Sequence, residues 1–298
     1  MALENKNVAI VDIGSNSVRI RISFGDQVIF RDNVTTQLAR GAMDGVLNEQ
    51  SVERTFLGLD RLFDSAKKYE AQVFAFATAA VRNSRNKNEF CNRFYNRYGV
   101  ELAVLSGEEE AEMGILGALN GDDGCVIDVG GASSELVIAK NGAIVYAYSM
   151  QLGAVSLTDA CGKDFDRARL LIEEQIKAFP PLPSESGEVY SIGGTSNNVA
   201  FIKSGISVFD RDKTSGYRLK NSEFGDLVQE LYALTPQEIS LKYNVRELRS
   251  KVIHSGALLL YSLFNLVGAK QVIMTENDNL EGYFLAKTKG KRYEKQKN

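Results

Sequence analysis

The sequence predicts an α/β protein of two duplicated lobes, and three observations carry that expectation. Residues 8–22, VAIVDIGSNSVRIRI, are echoed by residues 124–138, GCVIDVGGASSELVI. Strand and helix signals alternate in both halves, and 298 residues suffice for two cores. Aligning Asp12 with Asp128 also matches Gly14 to Gly130 and Ser17 to Ser133, and sets Arg19 opposite Glu135. Each copy is a β-branched run, an aspartate, a turn of small residues and a second apolar run, the pattern of a β-hairpin.

The elements follow in order. Residues 51–69 carry apolar side chains at 52, 56, 59, 62 and 63, the stripe of an amphipathic helix. The apolar run 71–81 predicts a buried strand ending at Thr78, and 101–106 another. Residues 107–121 predict a helix with carboxylates in its first turn, where the macrodipole favours them, and Gly121 at its end. Three strands are expected within 125–150, the last two joined by Asn141-Gly142, a hairpin turn pair. A helix over 166–179 stops at PPLP, which holds three of the four prolines. Residues 188–202 read strand, glycine turn, helix; Thr235, Pro236 and Glu238 open a further helix with a capping box. One long buried helix is expected over 246–267 and a final strand over 269–276. The boundary between the lobes falls near residue 122, dividing the chain into 1–122 and 123–298.

Composition excludes several classes. With 44% hydrophobic and 24% charged residues the chain is neither disordered nor fibrous. Cys91, Cys125 and Cys161 are odd in number and too widely spaced for a metal knuckle, which suggests reduced thiols and a cytoplasmic protein. The first residues lack a basic-then-apolar secretory pattern, and the apolar run 256–268 is too short to span a bilayer. No membrane or nucleic-acid partner is expected; the apolar helix allows a homodimer but reads more simply as core. The net charge of −3 conceals a +5 segment from Lys287 to Asn298 against −8 elsewhere. That tail reads as a solvated terminus, the alternative being a collector of polyanions.

Three glycine-rich loops follow strands: DIGSNS (12–17), DVGGAS (128–133) and SIGGTS (191–196). Glycine lets backbone approach a ligand closely, and successive amides in such turns form an anion-binding concavity. Gly14, Ser15, Asn16 and Ser17, then Gly130, Gly131, Ala132 and Ser133, then Gly193, Gly194 and Thr195 are the candidate phosphate cradle. Asp12 and Asp128 suit a hard cation such as Mg²⁺, which takes one or two carboxylates with waters and phosphate oxygens.

DIGSNSVRI, ATAAVRNSRN, SGEEEA, DVGGASSELVI and SIGGTS, in this order and spacing, resemble the Ppx/GppA phosphatase family of exopolyphosphatases and guanosine pentaphosphate phosphohydrolases. The resemblance runs from about Val8 to Phe284 and fits the short, two-domain form. It implies two actin-like (ribonuclease H-like) lobes, as in actin and the sugar kinases, with an active-site cleft between them. It further implies that Glu110 is the catalytic carboxylate that positions and deprotonates water, with Glu109 as the fallback, and that Glu135 is the second active-site acid. Arg19, Arg82 and Arg249 match positions that grip phosphate, a task for which the guanidinium fork is shaped. Three departures from the family pattern bear on substrate grip: Ala132 replaces a glycine, His254 a proline, and Asn279-Leu280 an arginine-bearing pair.

The activity implied is Mg²⁺-assisted hydrolysis of a terminal phosphoanhydride. Inorganic polyphosphate is the first choice of substrate and guanosine pentaphosphate the second. The competing classes are transfer to a small acceptor, for which no acceptor aspartate or adenosine pocket is marked, and a non-catalytic sensor of alarmones or polyphosphate.

Overall fold

The computed structural model describes residues 6–40, 45–183 and 186–295. The chain forms two units: residues up to Met113 with Tyr283–Gly290, and Gly114–Gly282 with the residues from Lys291 on. The division thus falls inside a helix whose end lies near residue 122.

The first unit opens with the predicted hairpin, β1 (Asn7–Ile13) and β2 (Ser17–Phe24), extended by β3 (Gln27–Thr35). Helix α1 (Glu49–Lys68) follows, capped by the Asn48 side chain, which accepts from the amides of Gln50 and Ser51. It buries Val52, Phe56, Leu59 and Leu62, which are positions of the apolar stripe. Then come β4 (Gln72–Ala77), the single turn α2 (Ala79–Arg82), α3 (Lys87–Tyr98), β5 (Leu102–Val104) and α4 (Gly107–Leu119). The sheet has the order β3-β2-β1-β4-β5, antiparallel among the first three strands and parallel from β1 to β5.

The second unit repeats this plan. Strands β6 (Gly124–Val129), β7 (Ser134–Lys140) and β8 (Ala143–Met150) form the meander, and Asn141 (φ 53°) and Gly142 (φ 75°) make its turn with the positive φ pair expected. There follow α5 (Ala154–Cys161), α6 (Phe165–Ile176), β9 (Val189–Ile192), α7 (Gly193–Ser204), α8 (Arg211–Thr214), β10 (Tyr217–Lys220), α9 (Asn221–Ala233) and α10 (Pro236–Tyr243). The capping box of Thr235 and Glu238 is present at α10. The chain continues through α11 (Glu247–Ser250), α12 (Ile253–Val267), β11 (Gln271–Met274), α13 (Asn279–Lys289) and β12 (Glu294–Lys295). The seven-stranded sheet runs β10-β11-β9-β6-β7-β8-β12. Its stretch β8-β7-β6-β9-β11 has the order and the parallel and antiparallel pairings of the first sheet. Each unit packs helices over its sheet around its own apolar core, one centred on α12 and β6, the other on α1 and β1. These are two ribonuclease H-like folds.

Two expectations are corrected. The long helix over 246–267 is broken: Val252 (φ −125°, ψ −9°) separates α11 from α12, so Arg249 sits on a turn of its own. The basic tail is not simply a solvated end. Tyr293 is 4% exposed and its hydroxyl donates to the Asp122 carbonyl at 2.5 Å, the Lys291 ammonium donates to Asn120, and β12 pairs with Ala143 and Ile144 of β8. Burial of one aromatic ring outweighs the local charge. Residues 296–298 of that tail lie outside the described residues. Among the described residues no helix is long and apolar enough to cross a membrane.

Candidate functional site

In each unit the candidate residues gather at the carboxyl ends of parallel strands. In the first, the Thr78 amide donates to the Ile13 carbonyl at 3.3 Å and the Leu105 amide to that of Ala77 at 3.0 Å. These bonds set α2 and the start of α4 beside the Gly14 turn. In the second, parallel pairing of β6 with β9 places the loop 130–133 near the start of α7.

The two hairpin loops share one geometry. The Gly14 amide donates to Ser17 O at 3.0 Å and the Gly130 amide to Ser133 O at 3.0 Å. A Cβ on either glycine would stand 3.1 Å from that oxygen. The loop carbonyls are held from behind. Ser15 O accepts from Ala39, and Asn16 O from Thr36 and Gln37; in the second loop Gly130 O accepts from Ala154, and Gly131 O from Val155 and Ser156. Because a trans peptide directs its C=O and N–H oppositely, these bonds turn the amides of Asn16, Gly131 and Ala132 away from their anchors. Among the described residues none of the three amides has a protein acceptor. Ala132 therefore presents the same amide as a glycine would, with one added methyl.

The aspartates differ sharply in what faces them across the ladder. Asp12 is 4% exposed and pairs in register with Arg19, whose Nε and a terminal nitrogen donate to Asp12 Oδ2 at 2.9 and 2.5 Å. An arginine that interrupts an apolar strand thus finds an anionic partner. Asp128 instead pairs in register with Glu135, which accepts from Ser149 Oγ at 3.0 Å. Asp128 Oδ1 lies 2.3 Å from where a Cβ on Gly193 would stand, and Gly193 has φ +85°, so both space and backbone demand glycine there. Two carboxylates on one rung repel unless a cation lies between them. Asp128 and Glu135, like Asp12, carry oxygen ligands of the kind a hard divalent ion takes. Among the described residues no three His, Cys, Asp or Glu side chains gather as a metal cage.

The acidic first turn of α4 sorts its glutamates by bonding. Ser106 and Glu109 form a capping box: the Ser106 amide donates to Glu109 Oε2 at 2.8 Å and the Glu109 amide to Ser106 Oγ at 3.1 Å. Glu109 is spent on the helix end. Glu110 Oε2 accepts from Arg82 Nη1 at 2.7 Å, and the same nitrogen donates to Leu105 O at 2.9 Å. The Glu110 side chain keeps 28% of its surface open, and its Oε1 has no protein donor among the described residues. Arg82, expected on phosphate, orients this carboxylate with one nitrogen.

At α7 the three residues of the third loop part company. The Thr195 hydroxyl is buried and donates to Val129 O at 3.0 Å, which makes it a strut between β6 and α7. Gly194 admits Arg249: a Cβ there would stand 2.8 to 3.0 Å from three guanidinium atoms. Arg249 is exposed as a residue, but the protein packed against its guanidinium, then the like charge of Arg246, holds its pKa below the usual value. A cation against the positive end of a helix calls for an anion. Gly153 and Gly256, which sequence reasoning missed, let the helix ends converge. A Cβ on Gly153 would meet the Gly131 backbone at 2.5 Å, and one on Gly256 would meet Thr195 Oγ1 at 2.9 Å and Ala154 Cβ at 3.1 Å. The only trace of Gly153 in the sequence is its place just after the meander. His254 is 1% exposed, its ring Nε2 donates to Gly162 O at 2.9 Å, and burial pushes its pKa down to about 4, so it is a neutral structural group.

The chain is 24% identical to a bifunctional 3-dehydroquinate synthase/phosphatase of Fusobacterium nucleatum, over 93% of this chain but 46% of that protein. It is 26% identical to exopolyphosphatase 2 of Mycobacterium tuberculosis, over 94% and 98% of the two chains. A guanosine-5'-triphosphate,3'-diphosphate pyrophosphatase of Pseudoalteromonas translucida is 29% identical over 87% of this chain and 55% of its own length. The chain thus spans about half of two of these relatives and nearly all of the third. The crystal structure of the Aquifex aeolicus Ppx/GppA family member superposes with a TM-score of 0.86 at 23% identity, covering 97% of this chain and 99% of that one, so the fold is shared. The model of the Ppx/GppA phosphatase family matches residues 18–290, nearly the whole chain, which therefore belongs to that family.

Proposed function

We propose that the chain is a phosphoanhydride hydrolase that releases terminal orthophosphate from inorganic polyphosphate by direct attack of water, with Glu110 as general base. The observation that carries this reading is the bonding of Glu110: one oxygen is fixed by Arg82, the other has no protein donor among the described residues, and the side chain is 28% exposed. A base held in that way can orient a water and accept its proton. The water oxygen forms a bond to the terminal phosphorus, the proton passes to Glu110 Oε1, and the bridging P–O bond breaks toward the shortened chain.

The remaining residues bind and neutralise. In the first unit the Asn16 amide is a donor for phosphate oxygens; in the second the amides of Gly131 and Ala132 are such donors, and Arg249 adds a guanidinium fork at the start of α7. Arg19, steadied by Asp12, supplies a further cation. Asp128 and Glu135 would hold Mg²⁺, which when bound supplies charge neutralisation for the phosphate oxygens. The exopolyphosphatase relative, aligned over almost its whole length, supports polyphosphate as the substrate.

The test is Glu110→Gln, which keeps the size and the Arg82 contact but removes the base. Phosphate release from polyphosphate should fall by about 10²- to 10⁴-fold with an unchanged circular-dichroism melt. Turnover within a few-fold of the parent would reject Glu110 as the base.

A further inference from the structure

The second meander sets one polar rung across its three strands. Asp128 on β6 lies opposite Glu135 on β7, and Glu135 lies opposite Ser149 on β8. The rung two residues back is Val126, Val137 and Ala147, so this face of the sheet passes from hydrocarbon to oxygen within one side-chain period. Ser149 is exposed, whereas the next residue, Met150, is buried; the strand is anchored by its other face and does not depend on that hydroxyl.

The first unit carries the matching rung with a different hold on its middle residue. Asp12 lies opposite Arg19, and Arg19 opposite Asn33 on β3. Arg19 is held by the acid beside it, since its guanidinium donates twice to Asp12 Oδ2. Asp128 cannot hold Glu135 in that way. Residues directly opposite have Cβ atoms about 5 Å apart, and like charges so placed push each other off the rung. A tether comes from the other side: Ser149 Oγ donates to Glu135 Oε1 at 3.0 Å. A hydroxyl orients a carboxylate without bringing a charge of its own, unlike the Arg82 that orients Glu110.

We propose that Ser149 is a positioning residue for a divalent cation on this rung: it draws Glu135 Oε1 toward β8 and so keeps Oε2 on the Asp128 side, where the two acids share one ion. Carboxylates that ligate a metal are themselves hydrogen-bonded, and removing such an outer partner lowers metal affinity by about 10- to 100-fold. The ion offsets the repulsion between Asp128 and Glu135, and the tether restricts in advance the rotamers that Glu135 would otherwise lose on binding. The inference rests on the reading that Asp128 and Glu135 hold Mg²⁺, and it adds the residue that sets how well they hold it.

The experiment titrates the full chain, without substrate, with Mn²⁺, which takes the same oxygen ligands as Mg²⁺, and counts the free ion by electron paramagnetic resonance. Ser149→Ala should weaken Mn²⁺ binding by about tenfold with an unchanged circular-dichroism melt, and Ser149→Thr should restore it. Asp128→Asn should lose the ion. In phosphate release, the Mg²⁺ concentration giving half the maximal rate should rise in Ser149→Ala by the same factor. An unchanged Mn²⁺ affinity in Ser149→Ala overturns the inference, as does a Ser149→Thr variant as weak as Ser149→Ala. If Asp128→Asn binds Mn²⁺ as the parent does, the metal reading fails and takes the inference with it. If Asp128→Asn loses the ion while Ser149→Ala keeps it, the metal reading stands and the role of Ser149 falls.

Discussion

Gly194→Ala separates the geometry of Arg249 from the stability of the fold. The added Cβ would stand 2.8 Å from one terminal nitrogen of Arg249, 2.9 Å from the other and 3.0 Å from the central carbon. Comfortable non-bonded contacts lie near 3.5 to 4.0 Å, so the guanidinium must retreat by about 0.5 to 1 Å. That group is the end of a flexible side chain, and withdrawing it costs the fold little. Gly194 lies within the first turn of α7 and has no positive φ, so alanine is sterically allowed and gains up to about 1 kcal/mol in helix propensity. A displacement of about 1 Å at a positioning group can cost about a hundredfold in rate. The expected outcome is therefore a Tm equal to or above that of the parent, with kcat/KM for polyphosphate lowered about 10- to 100-fold. Scanning calorimetry and a phosphate-release assay measure the two. The double variant Gly194→Ala, Arg249→Ala should be no worse than Arg249→Ala alone. Full activity in Gly194→Ala would refute the placement of Arg249 on substrate, and a large fall in Tm would refute the premise that the arginine is what yields.

Glu109→Ala removes a capping-box acid and should lower stability by about 1 kcal/mol in urea denaturation while kcat stays within a few-fold, the reverse of Glu110→Gln. His254 is buried neutral with a pKa of about 4, below the ordinary value near 6.5. Its contribution is thus complete above about pH 6.5 and is lost as pH falls toward 4, by at most about 3 kcal/mol, so His254→Gln should flatten the stability profile over that window. Truncation after Gly290 removes the buried Tyr293 ring and its bond to Asp122 and should cost about 3 kcal/mol in urea denaturation; a truncated chain as stable as the parent would show that the docked tail adds nothing.

Local pattern determined much of this protein, because hairpins, caps and amphipathic stripes are encoded within a few neighbouring residues. The echo around Asp12 and Asp128 predicted two equivalent hairpins, and the Asn141-Gly142 turn, the Thr235 cap and the stripe of α1 were all legible. The family was legible too, since its motifs lie in short contiguous runs. Segments that owe their state to distant partners were not. The half-buried edge strand β3, helices α5 and α13 and the broken junction before α12 carry weak local signals, unlike α9 with its stripe of Phe224, Leu227, Val228 and Leu231, and the basic tail hides one aromatic that docks on a loop 171 residues earlier. The site shows the same division. The residue types came from the sequence, but four glutamates between 108 and 112 are nearly equivalent in one dimension. Only the tertiary structure assigns Glu109 to a cap and Glu110 to Arg82, opposes Asp12 with arginine and Asp128 with glutamate, and reveals Gly153 and Gly256 as the clearances that let the helix ends meet the loop. Charge and hydrogen-bonding capacity are written in composition, whereas which atom faces which is decided by packing.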